Sequence, residues 1–478
     1  MVNKEKNSFL ELIKSDNISD YIQIEPEQNI LKFKNIIFDN KEKSLYEETL
    51  KLSNIIRDSY NSISENRKVN FINLSLLEEG KDDSKPLNML FNNCTFSSQK
   101  LQLDIGDTSG FTLNDINYSI KEIKFKNCIF EYMPSYHTYE IKVILEKCKI
   151  SIYEPNNYED KLECIDCFIK NFSIKDDNHN FNTELSGGTI ENLLIEDASF
   201  KSKFYINKQY GGNEKQTVIK KLSIKNTVFH ENFKLHNCLV EKSIIKGTDF
   251  EKHADFFNSI FKEGINKDNP QDKSINFREL NFKGLSLFGD CAFHELLKFQ
   301  YVTFEDFSHF RRAKFLKGLD LDYTNIQKEM NFFDIEGLDS QNSRRNTSQE
   351  TYRIIKHNFS KIGNTIEANK YHALELGKHN KNVWRRGKII DGIVSFLFWI
   401  TSNFSQNWLL PLGWMFVVGL ITSFILLGEV SWSCIAKYAT IVTYDDLKDH
   451  PKLFLFNKIS LGFLYYQFIL AVRKNTRK

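Results

Sequence analysis

The chain is poor in the two residues that most often bend a backbone, with 7 prolines and 21 glycines in 478 positions. Glycine alone usually supplies about 7% of a globular sequence, so a fold whose corners are turned mainly by glycine and proline is excluded. A charge excess of one sign is also missing: 64 Lys and Arg against 62 Asp and Glu leave a net charge of +2. That balance excludes a wholly basic nucleic-acid binder and an acidic DNA mimic. Residues 277–336 repeat the point locally, with ten acidic and eight basic side chains, too weak an excess for a phosphate-like stripe. The opening stretch MVNKEKNSFLELIK has no apolar core of a secretory signal, so the N-terminal bulk is expected in the cytosol. Eight cysteines in a chain of this length, in a reducing compartment, predict free thiols. There is no P-loop, no G-x-S-x-G and no H-E-x-x-H, so no enzyme, cofactor or metal site is expected.

Apolar residues are not lacking: 41% hydrophobic and 14% aromatic content rules out a solvated, disordered chain. The surplus is phenylalanine, 41 in all. Phe277, Phe288, Phe299, Phe310, Leu321 and Phe332 follow one another at steps of eleven, and so do Phe282, Phe293, Phe304, Phe315 and Ile326. The two series interleave with gaps of five and six. A related unit recurs upstream: FKNIIF (33–38), FNNCTF (91–96), FKNCIF (125–130), LEKCKI (145–150), IEDASF (195–200), IKNTVF (224–229), LHNCLV (235–240) and IKGTDF (245–250). One repeat family is therefore expected from about residue 22 to 338.

A period of five to six is neither the 3.6 of an amphipathic helix nor the 2 of a long strand. It suits very short strands joined by corners and stacked into a solenoid. Residues i and i−2 of a strand face the same way, so the small residue two before each large one shares the interior with it. Cys94, Cys128, Cys148, Cys167, Cys238 and Cys291 occupy that slot and are expected to pack as small hydrophobes. Cys164 and Cys167 form one C-x-x-C, but no second ligand pair follows at zinc-site spacing. Histidines between ladder slots (His230, His236, His294, His309) are expected at corners or on outward faces.

These units resemble the pentapeptide-repeat proteins, most closely a variant pattern approximating F-x-G-x-x-x-F-x-x-A-x-F, as in RRAKFLKGLDLDYTNI (311–326) and CAFHELLKFQYVTF (291–304). The resemblance implies a right-handed β-helix with a large residue at the centre of each five. The chain departs from it in using Phe where Leu is usual and in alternating five with six. The stretch 41–68, containing LYEETLKLSNIIRDSY, reads as a helical insertion between coils.

After Leu338 the ladder stops. Thr347-Ser-Gln-Glu350 has capping-box spacing, and Tyr352, Ile355, Phe359 and Ile362 then trace one helical face. Gly363-Asn364 breaks it before a second helix over 365–380. The hairpin is expected to cap the solenoid, whose open end would expose unpaired edges; it resembles the helical element following the repeats in membrane-bound members of that class. From Gly392 to Gly428 no residue is charged. Trp408–Gly428 suits one transmembrane helix with Trp408 and Trp414 as interface anchors, and Leu453–Val472 a second, with Lys458 snorkelling. Ile389–Phe404 reads as an interfacial helix. Gln467 is expected to hydrogen-bond to a neighbouring helix. Lys378, Lys381, Arg385, Arg386 and Lys388 precede the first span, and Arg473, Lys474, Arg477 and Lys478 follow the second. Both flanks favour the cytoplasmic side, so the number of crossings is even. The segment 429–452 is expected to be a plain loop on the far side: KYATIVTY (437–444) lacks a Gly-rich filter, and Asp445, Asp446 and His450 are solvated.

The expected organisation is mainly β: an N-terminal cap (1–21), a β-helix (22–338), a helical hairpin (339–383), and an interfacial helix with two transmembrane helices (384–478). The expected function is a non-enzymatic scaffold or sensor on the inner (cytoplasmic) membrane, with both termini cytoplasmic. Its partners would be the lipid bilayer and an unnamed protein, and not nucleic acid. The alternative is a homo-oligomeric effector whose two-span hairpins form a pore.

Overall fold

The computed structural model of the chain describes residues 85–96, 116–133, 142–154, 161–175, 182–207, 215–266, 268–428, 431–442 and 445–476, with short strands between residues 7 and 51 and at 101–102 and 111–113. Two compact units emerge: Met1–Lys317 with Tyr323–Gly337, and Gly318–Asp322 with Leu338–Lys478.

The first unit is a parallel β-solenoid. Its register shows what the ladder spacing means. Phe277 lies opposite Phe299 and Phe282 opposite Phe304, while Phe293 lies opposite Phe315. A late turn is therefore 22 residues, and the eleven-residue step is half a turn. Each such turn sends four large side chains inward, one per facet. Phe282 stacks on Phe304 at 5.1 Å, Phe288 on Phe310 at 4.9 Å and Phe293 on Phe315 at 5.6 Å, all with nearly parallel ring planes. Phe277 and Phe299 instead meet edge to face at 5.3 Å. Phe288, from the opposite wall, completes a triangle with them at 5.9 and 5.8 Å and is itself edge-on to Phe299. Such ring pairs add about 0.5–1.5 kcal/mol each beyond burial.

The columns continue upstream with aliphatic members. The Phe288 column begins Phe33, Phe91, Phe125 and passes through Leu145, Cys164, Leu185, Ile206 and Leu235 before reaching Phe256. The Phe293 column runs back through Phe261, Val240, Ile219, Ile190, Ile169 and Ile150 to Phe130, Phe96 and Phe38.

A five-residue step cannot keep two side chains on one face of an unbroken strand, because strand parity is two. One left-handed residue resets that parity. Asn93, Asn127, Lys147, Asp166, Asn226, Asn237, Asn258, Asp290 and Arg312, with nearby corners at Asp197, Glu279 and Tyr301, all take φ between 46° and 57°. Each stands two positions after one inward residue and three before the next, so the unit reads large-x-αL-small-x-large, with Leu280 and Val302 in the small position after Glu279 and Tyr301. Asn and Asp enter this region more readily than other non-glycine residues. Corner N–H groups are not stranded: Asn127 N donates to Glu146 O at 2.9 Å, Asn226 N to Lys246 O at 3.0 Å and Asp290 N to Arg311 O at 2.9 Å. Inter-turn hydrogen bonding thus passes through the corners.

The small residue after each left-handed corner forms its own column. Cys94, Cys128, Cys148 and Cys167 are followed by Gly188, then Thr217, Cys238, Ser259, Cys291 and Ala313. All six cysteines expected in this slot are buried and free. The sulfurs donate to carbonyls of the preceding turn, Cys128 Sγ to Phe91 O at 3.4 Å and Cys148 Sγ to Phe125 O at 3.3 Å. Burial pushes the thiols of Cys128, Cys238 and Cys291 far up, which keeps them protonated and inert. Cys164 and Cys167 lie in different columns, one in a large slot and one in a small slot. At Gly188 a Cβ would lie 2.1 Å from Cys167 O, so the column narrows to no side chain there.

Outside, the balanced charge is spent on pairs between successive turns. Lys220 reaches Glu191 at 2.6 Å, Lys283 reaches Glu251 at 3.0 Å, Lys317 reaches Glu295 at 2.6 Å and Lys328 reaches Asp306 at 2.8 Å. Exposed pairs of this kind contribute about 0–1 kcal/mol each.

One expectation changes. His236 does not face solvent: it is buried, its Nε2 lies 2.6 Å from Asp255 Oδ2 of the next turn, and the Phe257 ring covers it. The Asp255 carboxylate one turn on sets a negative charge beside the ring inside the coil. Of the expected helical insertion at 41–68, only Leu50–Lys51 is described, a short strand paired with Leu101–Gln102; the remainder lies outside the described residues. The same holds for the cap at 1–21 apart from Asn7–Ser8, which pairs with Ile36–Ile37.

The second unit opens with α1 (Gln341–Asn346), α2 (Gln349–Lys361) and α3 (Thr365–Arg385). The α2 N-cap is Ser348, whose Oγ accepts from Thr351 N at 3.0 Å, one residue later than the expected capping box. Thr347 is engaged elsewhere: its Oγ1 accepts from Leu319 N at 3.2 Å, and Thr351 Oγ1 accepts from Leu321 N at 2.8 Å. Two strand N–H groups are satisfied by helix side chains in this way.

Replacing Phe288 by Ala should cost about 3–5 kcal/mol, since it removes a ring stacked at 4.9 Å on both Phe256 and Phe310. Leu316→Ala, at a 47% exposed position, should shift stability by about 0.5 kcal/mol or less. Denaturant unfolding followed by circular dichroism compares them; equal midpoints would refute the column. At the corner, Asn258→Gly should be tolerated and Asn258→Val should lose roughly 1–2 kcal/mol. Equal stability of these two variants would show that the left-handed corner does not set the coil.

Candidate membrane anchor

The C-terminal part of the second unit contains α4 (Ile389–Ser402), α5 (Leu409–Leu427), α6 (Trp432–Tyr438), α7 (Asp445–Lys448) and α8 (Pro451–Thr476). Two of them, α5 and α8, are long and apolar enough to cross a membrane. They pack through one seam, with Met415 and Val418 of α5 against Leu461 and Leu464 of α8. The other faces carry bare aliphatic side chains, such as Ile425 at 61% and Ile459 at 63% exposure. α4 is amphipathic, with Ile389, Ile390, Ile393 and Val394 exposed.

Helix ends in this unit are tied together by amides. The turn from α4 to α5 runs through three successive left-handed residues, Asn403, Phe404 and Ser405 (φ 49°, 57° and 65°). Ser402 Oγ holds that turn by accepting from Ser405 N at 3.1 Å. It also lies 3.0 Å from Gln467 Oε1 of α8. Gln406 Nε2 donates to Asn369 O of α3 at 3.0 Å, and Asn369 Nδ2 donates to Lys474 O of α8 at 3.3 Å. The α3 helix therefore grips the α4–α5 turn and the C-terminal end of α8.

The α2–α3 pair beside it is held by Phe359 stacked on Tyr371 at 5.6 Å and by a buried carboxylate. Glu375 receives Arg353 Nε at 3.1 Å and Lys356 Nζ at 2.7 Å. Burial would raise its pKa, but the Lys356 and Arg353 hydrogen bonds outweigh that and hold it below the usual range.

The segment after α5 is not a plain loop. It turns back, and α6 packs against α5 at Gly419, eight residues before the end of that helix, or about 12 Å along it. A Cβ at Gly419 would lie 2.6 Å from Ile435 O, so only glycine admits this approach. The C-terminal carbonyls of the returning segment are then satisfied from α8. Asn457 Nδ2 donates to Tyr438 O and to Thr422 Oγ1, both at 3.0 Å. Lys458 Nζ donates to Ile441 O at 3.1 Å and Val442 O at 2.7 Å. A cation at a helix C-terminus also complements the helix dipole.

Each residue singled out in the sequence now has a position. Phe277, Phe282, Phe288, Phe293, Phe299, Phe304, Phe310 and Phe315 are buried in the solenoid columns. Trp408 precedes α5, 43% exposed, with its ring edge-on to Phe468 at 6.4 Å. Trp414 faces inward, its Nε1 donating to Ile400 O at 3.0 Å. Gln467 is buried against Ser402. Asn457 escaped notice in the sequence, although an amide inside an apolar run is itself a signal. Its partner Thr422 sits in a different helix, which sequence spacing does not connect. Among the described residues no group of three or more His, Cys, Asp and Glu side chains is arranged to hold a metal ion.

Glu375→Gln should destabilise the helical unit by about 1–3 kcal/mol at neutral pH. A depressed carboxylate pKa adds stability above its unfolded value of 4.5, and this is lost as pH falls through the folded value. Thermal unfolding of the detergent-solubilised chain should therefore be less pH-dependent below about pH 4.5 in the variant; an unchanged acid slope would refute the pairing. Comparison of the chain with known protein families, with curated proteins and with solved structures returned no match.

Proposed function

We propose that the chain is a non-enzymatic, membrane-anchored scaffold or sensor of pentapeptide-repeat type, held by α5 and α8 in the cytoplasmic membrane and presenting its solenoid to a protein partner in the cytosol. The observation that carries this is the exposure of α5 and α8. Only 33% and 22% of their most apolar stretches are buried, whereas the core helix of a soluble protein is mostly buried. Bare apolar faces of this extent call for a lipid or a partner. Basic residues at both outer flanks, Lys378 to Lys388 before α4 and Arg473 and Lys474 at the end of α8, support two crossings with both ends cytoplasmic.

The fold-back of α6 to Gly419 favours the second reading, an oligomeric effector whose hairpins enclose a pore. Backbone that re-enters the apolar layer is tolerated where protein or a water-filled cavity surrounds it. A monomer in detergent, or silent planar bilayers from an intact oligomer, would remove this reading.

Cys434 tests the topology directly. Seven of the eight cysteines are buried, and Cys434 is partly exposed. A membrane-impermeant maleimide should label inverted membrane vesicles poorly and right-side-out vesicles well, a difference lost in Cys434→Ser. Equal labelling from both sides would refute the two-span arrangement, and recovery in the soluble fraction without detergent would refute the anchor.

A further inference from the structure

The second unit contains a cavity of about 450 Å³ between α1, α3, α4 and the α4–α5 turn. One side is cationic, with Arg344, Lys370, Lys378 and Lys381; the other is aromatic, with Phe396 and Trp399. Asp339, the acidic residue in the lining, is already paired with Lys370 at 3.3 Å. Arg344, Lys378 and Lys381 therefore remain as an excess of positive charge around the cavity. Lys378 Nζ donates to Arg345 O at 3.0 Å; burial first, then the Lys381 and Arg385 charges, push its ammonium down against the opposing Asp322 charge, as crowding among cations does. Beyond the cavity, the side of α4 that carries Phe396 continues toward the helix N-terminus with exposed aliphatic side chains, Ile393 at 47% and Ile389 at 64% exposure, three and seven residues before Phe396.

An anion of phosphate type satisfies the first half of this lining, and an acyl chain satisfies the second. We infer that the cavity is a binding site for the headgroup of an acidic phospholipid, with Arg344, Lys378 and Lys381 around the phosphate and the acyl chains lying along the aliphatic face of α4. This rests on the membrane anchoring proposed above and names the lipid that the anchor selects. Basic side chains near a membrane surface each add affinity for anionic lipid, and an interfacial helix such as α4 supplies the apolar contact. The site lies beside Asn403, Phe404 and Gln406, where α3 grips the α4–α5 turn. A bound lipid would therefore brace the junction between the cytosolic helices and the first apolar helix.

The experiment uses the full chain purified in a neutral detergent and offered phosphatidylglycerol, phosphatidylcholine or inorganic phosphate. Retained lipid is counted by native mass spectrometry, and thermal unfolding is followed in parallel. Phosphatidylglycerol should be retained over phosphatidylcholine and should raise the melting temperature. Arg344→Gln and Lys381→Gln should each weaken that retention about fivefold, while Lys328→Gln on the solenoid should leave it unchanged. Equal retention of the two lipids, or equal retention by wild type and both cavity variants, would overturn the site. Protection by inorganic phosphate matching that by phosphatidylglycerol would overturn the lipid assignment in favour of a soluble phosphate compound. Recovery of the chain without detergent would overturn the anchor itself, whereas a membrane-bound chain with no lipid preference overturns only the cavity.

Discussion

Two inward side chains five residues apart need a break in strand parity between them, and the solenoid rests on how that break is made. A single left-handed residue, mostly Asn or Asp, supplies it at corner after corner. Because the corner N–H still donates to the next turn, the break costs no backbone hydrogen bond. The position after the corner faces inward: in one column it holds cysteine, alanine, serine or threonine and one glycine, and after Glu279 and Tyr301 it holds the buried Leu280 and Val302. Burial of the large residues follows from the same local geometry, and the corner also admits glycine, as at Gly187 and Gly247.

Within that frame the aromatic columns decide how the interior fills. Where the Phe277 column meets the Phe288 column, Phe277, Phe288 and Phe299 form a triangle in which Phe299 is edge-on to both neighbours. In the middle turns, where the columns carry Leu, Ile and Val, the strands keep the same register. The register is thus fixed by the corners and the ladder, and ring stacking adds packing energy to a path already set.

In the helical unit, satisfaction of polar groups between apolar helices plays the corresponding part. Asn457, Gln467, Asn369 and Gln406 each bridge elements far apart in the chain. An unpaired amide or carbonyl among apolar helices is costly, so these few contacts fix how α3, α4, α5, α6 and α8 meet. The cationic cavity lies inside the same network, beside the turn it holds.

The sequence by itself determined the repeat, the inward residues, the small cysteine slot and the two long apolar helices. Each is a one-dimensional pattern, and strand parity or helix length converts it directly into structure. It did not distinguish a half-turn of eleven from a full turn of 22, because both give the same spacing along the chain and only inter-strand register separates them. It placed His236 outside, since the carboxylate that receives it belongs to the next turn. It took the segment after α5 for a plain loop, because the glycine that admits α6 and the amide that caps it lie in two other helices. Tertiary structure alone decided these points: each depends on which groups become neighbours after folding, and a polar atom's partner is chosen by proximity in space.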